Sequence, residues 1–345
     1  MTHGTAPTLM RAEISDAPEA LERFFDRESA NLTTVARRLA DLNPPVVITA
    51  ARGSSDNACG IFKYLSEILG GLPVASIGPS VASIYGARMQ LKGAAVIAVS
   101  QSGRSPDIIE LQAAARAAGA YAVAIVNDAT SPLAEGADAV LPLHAGPEKS
   151  VAATKSFLSS AAVLAALVGQ WFGDTHLHDA ARALPATFAK ALAADWENAR
   201  PALVAGSSAY VVGRGPALAV AAESALKLKE TAMLHAEAFS GAEVMHGPLQ
   251  LVDHAFPVIL YRPRDAAFAA MGEAATRLRS VGGEVFIAEE NGASDHHLPF
   301  TAAKHPLLDA LGLLVSFYGL AERVARERGH DPDHPVRLKK VTETV

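Results

Sequence analysis

Glu223, Lys227 and Glu230 stand at i, i+4 and i+7 in a stretch free of Gly and Pro from Ala217 to Ala236. That spacing puts all three on one face of a helix. A carboxylate held beside an ammonium stays ionised and oriented, as a proton-abstracting base requires. A solvent-exposed Glu/Lys stripe that only supports its own helix has the same spacing. The flanks argue against it, because they are nearly all Ala, Leu and Met, as in a buried helix. Charges on such a helix need a site or a partner. His246 follows in a Gly/Pro-bounded loop, where a titratable ring can face a pocket.

A second chemistry is written in SQSGRSPD, residues 100–107, which lies between an apolar run and a helix expected to start near Pro106. Gly103 lets the backbone approach a ligand closely. The hydroxyls of Ser100, Ser102 and Ser105, the Gln101 amide and free N–H groups at a helix N-terminus suit a phosphate. Ser54 and Ser55, after Gly53, repeat the arrangement on a neighbouring strand. Serines also cap helices without binding anything. Two such turns in one domain favour the phosphate. With no GxxxxGK[ST] and no GxGxxG, the phosphate is expected on a small metabolite and not on a nucleotide. In EKSVAATK, residues 148–155, Glu148 and the backbone from Val151 onward either contact a sugar or follow simple caps at Ser150 and Thr154. His144, His176, His178, His254, His296 and His297 have no metal-ligand spacing, so no metal is expected.

The elements that position these groups occur twice, about 160 residues apart. VVITA (46–50) runs into ARGSSDNA and a helix; AYVVG (209–213) runs into RGPALA and a helix. AVIAVS (95–100) and YAVAIV (121–126) have counterparts in PVILY (257–261) and EVFIAEE (284–290). Apolar strands without alternation, separated by helices, predict parallel sheets covered on both faces. The expected fold is α/β: two tandem doubly wound domains at 35–170 and 199–328. An N-terminal helical arm (1–34), a helical connector (171–198) and a C-terminal tail (329–345) complete the chain. Ligands in open α/β sheets sit beyond the carboxyl ends of strands. The first copy puts its serines there, the second Arg-Pro-Arg-Asp, so one site shared between the domains is expected.

The 345 residues are half apolar and carry a net charge of −6. A pI near 6.1 and the absence of a Lys/Arg run speak against nucleic acid. Cys59 is the only cysteine, which excludes intrachain disulfides and fits a reducing compartment. The first residues have no apolar signal core, and the longest apolar run, residues 157–172, is too short and too interrupted to span a membrane. A soluble cytoplasmic protein is expected.

GSSDNA, SQSGRSPD, VAATK, ALKLKE, HAEAF and HGPLQLVD, in this order, resemble the two-domain sugar isomerase (SIS) family, the form found in the isomerase half of glucosamine-6-phosphate synthase. The resemblance runs from about Leu39 to the tail. SQSGRSPD, NDATSPL, AGPEKSVAATK and AEVMHGP are most similar to stand-alone two-domain glucosamine-6-phosphate deaminases. The resemblance implies that Ser100, Gln101, Ser102 and Ser105 bind the sugar phosphate and that Ser55 holds part of the sugar. It implies that Glu230 is the proton-shuttling base, that Lys227 orients the linear sugar, and that His246 opens the ring from the neighbouring subunit of a homodimer. Lys340 matches a lysine able to form a Schiff base, although Lys339 stands beside it. One departure is Ala153, which replaces the serine of the family's VASTK.

The synthase begins with a glutaminase domain carrying an N-terminal cysteine. This sequence starts Met1-Thr2 and reaches its first α/β unit within about 45 residues. The reaction expected is therefore deamination, glucosamine 6-phosphate and water giving fructose 6-phosphate and ammonia, with no cofactor. Alternatives are a galactosamine 6-phosphate deaminase, a sugar-phosphate isomerase, an aminating subunit and a non-catalytic sugar-phosphate sensor.

Overall fold

The computed structural model describes residues 7–340; residues 1–6 of the expected arm and 341–345 of the expected tail lie outside the described residues. Helix α1 (Leu9–Leu42) opens the fold. Thr8 caps it by accepting from the Arg11 N–H at 3.0 Å, and the Asp333 carboxylate accepts from the Leu9 and Met10 N–H groups at 2.7 Å each. These bonds satisfy donors that a helix start leaves unpaired. The expected boundary at 34/35 falls inside α1.

The first unit runs β1 (Val47–Ala50), α2 (Ser54–Gly70), β2 (Val74–Ser76), α3 (Ser80–Ser83), β3 (Ala95–Ser100), α4 (Pro106–Ala117), β4 (Tyr121–Val126), α5 (Pro132–Glu135), β5 (Ala139–Pro142) and α6 (Lys155–Phe172). Helices α7 (Thr175–Arg182), α8 (Leu184–Ala191) and α9 (Arg200–Ala205) connect it to the second unit. That unit runs β6 (Ser208–Gly213), α10 (Pro216–Ala232), β7 (His235–Ser240), β8 (Phe256–Tyr261), α11 (Phe268–Ser280), β9 (Gly283–Glu289), β10 (His297–Pro299) and α12 (Asp309–Glu327).

Both sheets are parallel, with orders β2-β1-β3-β4-β5 and β7-β6-β8-β9-β10. The two orders are the same when each unit is counted from its own first strand, so the repeat seen in the sequence is a repeat of topology. Its signature turn repeats as well: Gly53 (φ 57°, ψ −129°) and Gly215 (φ 60°, ψ −138°) each precede the helix after the first strand. Only glycine adopts such angles cheaply.

Alternate strand residues feed different cores, as a pleated strand requires. Ile97, Val99, Val123 and Ile125 join Val211, Ile259, Phe286 and Ala288 in one core shared by the two sheets. Val96, Ala98, Ala122 and Ala124 face α4, while Val212, Val258, Leu260 and Val285 face α11. Helix α6 is buried along almost its whole length and packs against α1 and α2. No described helix is long and apolar enough to cross a membrane.

Two expectations about the elements change. The helix expected through Ala236 ends at Ala232, because Met233 turns into the left-handed region (φ 49°) and the chain re-enters the sheet as β7. The edge strands β2, β5, β7 and β10 are not legible as strands in the sequence. Helices α2 and α10 approach closely: a Cβ on Gly60 would stand 3.0 Å from Ala219 Cβ. The two helices run antiparallel, so the start of α2 lies beside the later turns of α10: Asn57 meets Glu223 and Ser54 meets Lys227.

Candidate active site

The carboxylate–ammonium stripe of α10 lies at the junction of the two units. Lys227 and Glu223 are fully buried, while the Glu230 side chain keeps 23 % of its surface. Lys227 Nζ forms a short ion pair with Glu230, stands 3.4 Å from Glu223 Oε1, and donates to Ser54 Oγ at 3.0 Å. The ammonium thus joins the charged helix of the second unit to the Ser-rich turn of the first. Glu223 is held from three sides, since Asn57 Nδ2 donates to Oε2 (3.0 Å) and Tyr318 OH to Oε1 (3.1 Å). Burial would strip Lys227 of its proton, but its two carboxylate neighbours outweigh that and raise its proton affinity. Burial raises the Glu223 carboxyl, with Lys227 and the Asn57 bond opposing. The ammonium is the firmer charge, because it faces two carboxylates while Glu223 shares it with Glu230.

The turn after β3 is held by hydrogen bonds from its own backbone to its serines. Ser100 Oγ accepts the Gly103 N–H at 3.0 Å, and Ser102 Oγ accepts the Arg104 N–H at 3.3 Å. Gly103 has φ 64°, and a Cβ there would overlap the Ser131 hydroxyl. Ser105 occupies the N-cap of α4 without a side-chain capping bond, so its hydroxyl is not spent on the helix. Ser55 sits in the uncapped first turn of α2, and Gln101 is half-buried. Helices α2 and α4 cover opposite faces of the sheet, so the gap between β1 and β3 is the topological switch point where such sheets take ligands. Beyond the carboxyl ends of β8 and β9 the second unit carries ion pairs instead: Arg262 binds Glu289 at 2.7 Å and Arg264 grips Asp309 at 2.9 Å. The two units are thereby divided into a turn with open hydroxyls and a charged helix.

The loop before α6 differs from both readings of its sequence. Thr154 and Ser150 do not cap the helix through their side chains. Glu148 does so instead, accepting from the Thr154 N–H (3.0 Å), the Ser156 N–H (3.1 Å) and the Ser156 hydroxyl (2.7 Å). Lys340 Nζ approaches its other side at 3.0 Å. Burial opposes ionisation of Glu148, but Lys340 and these bonds outweigh it and lower its pKa. In this arrangement the carboxylate is turned inward and its oxygens are taken by the start of α6 and by Lys340. The Val151 N–H donates to the Asp333 carbonyl at 3.1 Å, which ties the loop to the tail. Lys339 is exposed, so the tail places Lys340 and not its neighbour against the loop. His246 is exposed after β7 and makes no side-chain hydrogen bond or ion pair among the described residues.

The structure therefore brings Ser54, Lys227 and Glu230 together, gathers Ser100 to Ser105 in a separate turn, joins Glu148 to Lys340, and leaves His246 outside all three. A cavity of about 750 Å³ opens beside Glu230 between α10 and the tail, with Leu226, Met233, Leu234, Val336 and Leu338 in its walls. Sequence reading missed Asn57 and Tyr318. Asn57 follows Ser54 by one helical turn, a usable signal; Tyr318 lies in an apolar run with none.

A sheet of order 2-1-3-4-5 used twice, with polar switch-point turns in one copy and a buried charged helix in the other, defines a two-domain α/β protein whose polar groups gather where its units meet. The chain belongs to the SIS domain family, whose model matches residues 27–169 and 203–288. It is 33 % identical to a glutamine–fructose-6-phosphate aminotransferase (isomerizing) of Caulobacter vibrioides, over 96 % of this chain and 58 % of that protein. The chain thus spans little more than half the length of the curated relatives it matches. A crystal structure of a candidate phosphosugar isomerase from Silicibacter pomeroyi superposes with a TM-score of 0.90 at 46 % identity, covering 95 % of this chain and all of that one. A glucosamine-6-phosphate deaminase from Thermotoga maritima shares the fold (TM-score 0.79, 20 % identity, 98 % and 100 % coverage).

Proposed function

We propose that this sugar isomerase family member is an amino-sugar-phosphate deaminase, converting glucosamine 6-phosphate and water to fructose 6-phosphate and ammonia. The observation that carries this reading is the Lys227 ammonium, bonded at once to the Ser54 hydroxyl of the first unit and the Glu230 carboxylate of the second. The phosphate occupies the turn of Ser100, Gln101, Ser102 and Ser105, and Ser54 and Ser55 meet the sugar. His246 of a second copy assists ring opening.

In the open chain, the C1 aldehyde acidifies the proton on C2. Glu230 removes that proton, the electrons move into a C1–C2 double bond, and the aldehyde oxygen becomes an enolate. Return of the proton to C1, with an amine proton passing to the former aldehyde oxygen, leaves a hydroxyl on C1 and an imine at C2. Water adds to that carbon and the C–N bond breaks, releasing ammonia and the ketone of fructose 6-phosphate. Lys227 holds the Glu230 carboxylate and offers positive charge to the enolate oxygen. Lys340, leaving Glu148, supplies a second cation. No step calls for a redox cofactor.

The names of the curated relatives favour a second reading, the same chemistry run toward amination. The two part in one assay. Ammonia release from glucosamine 6-phosphate by the purified chain supports the first; synthesis of glucosamine 6-phosphate that depends on glutamine would replace it with the second.

A further inference from the structure

We propose that Arg52 is a further anion-binding residue of the first unit, its guanidinium reaching the phosphate held by the turn after β3. The proposal rests on the sugar-phosphate reading of that turn and adds to it a residue with no role so far. Strand β1 pairs with β3 up to Ala50 opposite Ala98, and Arg52 and Ser100 each stand two residues beyond that last pair. Neighbouring strands are about 4.8 Å apart, which puts the Arg52 backbone beside the turn at the switch point.

The guanidinium is held from beneath. Asp107, fully buried in the first turn of α4, takes both Nε and an Nη of Arg52 in short ion-paired hydrogen bonds. Helix α4 is the same helix whose N-terminus forms the turn. About half of the Arg52 side chain remains exposed (49 %). A guanidinium carries five N–H donors in a rigid fork, so two bonds to one carboxylate oxygen leave donors for an anion. Asp107 fixes the fork, and a fixed fork costs less to order on binding than a free one. The pairing also has an electrostatic purpose. A bare carboxylate in the first turn of α4 would repel a phosphate at that turn, and Arg52 cancels it. The matching residue of the duplicated turn, Arg214, is also exposed but forms no ion pair among the described residues, so the carboxylate clasp is particular to the first unit.

The competing account is that Arg52 only tethers α4. The two accounts part when Asp107 is neutralised. Inorganic phosphate binding is to be measured by titration calorimetry on the wild-type chain, Asp107→Asn, Arg52→Gln/Asp107→Asn, Arg52→Lys and Ser102→Ala. The ion pair is absent from both proteins that carry Asp107→Asn, so the difference between them reports what the guanidinium does without it. The double variant is expected to bind phosphate about 10- to 100-fold more weakly than Asp107→Asn alone. Arg52→Lys, which keeps the charge and loses the fork, falls between wild type and the double variant. Equal affinity of Asp107→Asn and the double variant, with Ser102→Ala still weakened, overturns the assignment of Arg52 and leaves the cradle standing. If the wild-type chain binds no phosphate, the cradle and Arg52 fail together.

Discussion

Replacing Lys227 with Met tests how the site is held together. Met keeps the length of the chain but removes the ammonium between two carboxylates, one of them fully buried. Among the described residues, Glu223 then keeps Asn57 and Tyr318 as partners. Stranding one member of a buried pair costs about 3–5 kcal/mol, far more than the net worth of the pair. The expected result is a fall of that size in unfolding free energy from urea titration, with the slope unchanged. The loss should shrink on acidification. Burial already raises the Glu223 pKa above 4.5, and losing Lys227 raises it further. A carboxyl with a raised folded-state pKa binds its proton more tightly when folded, so its contribution is fully present below the unfolded value and is lost as pH rises through the folded value. Lys227→Met should therefore recover stability relative to wild type as pH falls toward 4.5, and Glu223→Gln/Lys227→Met should recover most of it at neutral pH. A single variant within about 1 kcal/mol of wild type at neutral pH, or a double variant no better than the single, refutes the reasoning.

Ser102→Ala and Ser105→Ala should each raise KM for the sugar phosphate with kcat little changed, since each removes a charge-assisted bond of roughly 1.5–3 kcal/mol; steady-state kinetics decides. Gly103→Ala should destabilise the chain by at least about 1–2 kcal/mol, because φ is 64° and the new methyl meets Ser131; a thermal shift reads it. Lys340→Ala should make the chain more sensitive to acid. The Glu148 pKa is depressed, so its stabilisation is present above the unfolded value and is lost as pH falls through the folded one. Without Lys340 the folded value rises, and acid titrations of the two proteins should separate below neutrality.

The strands visible in the sequence, β1, β3, β4, β6, β8 and β9, are those buried on both faces, where an unbroken apolar run is required. The missed strands lie at or toward the edges. Three-residue β2 and β10 are too short to show a pattern, and β7 alternates exposed His235 and Glu237 with small residues. Its chain reads as helix because the stop is Met233 in the left-handed region, and no Gly marks it. The Glu223–Lys227–Glu230 stripe is legible because charges in an Ala/Leu helix are costly without partners. Which partners they have is not, since Asn57 and Tyr318 lie 166 and 95 residues from Glu223. Glu148 shows the opposite failing. A carboxylate before a buried helix reads equally as ligand or cap, and only the folded loop shows it turned to the Thr154 and Ser156 N–H groups.

The central claim is that Glu230 moves the proton on C2 of an open-chain amino sugar phosphate. Proton NMR of glucosamine 6-phosphate in deuterated water, with wild type and with Glu230→Gln, tests it directly. The wild-type chain should exchange the C2 proton with solvent as fructose 6-phosphate and ammonia accumulate. Glu230→Gln should bind the substrate nearly as well, yet exchange about 10²–10⁴-fold more slowly, because the amide keeps the shape and cannot accept the proton. Exchange at the wild-type rate in Glu230→Gln would contradict the account and return the buried stripe of α10 to a structural role.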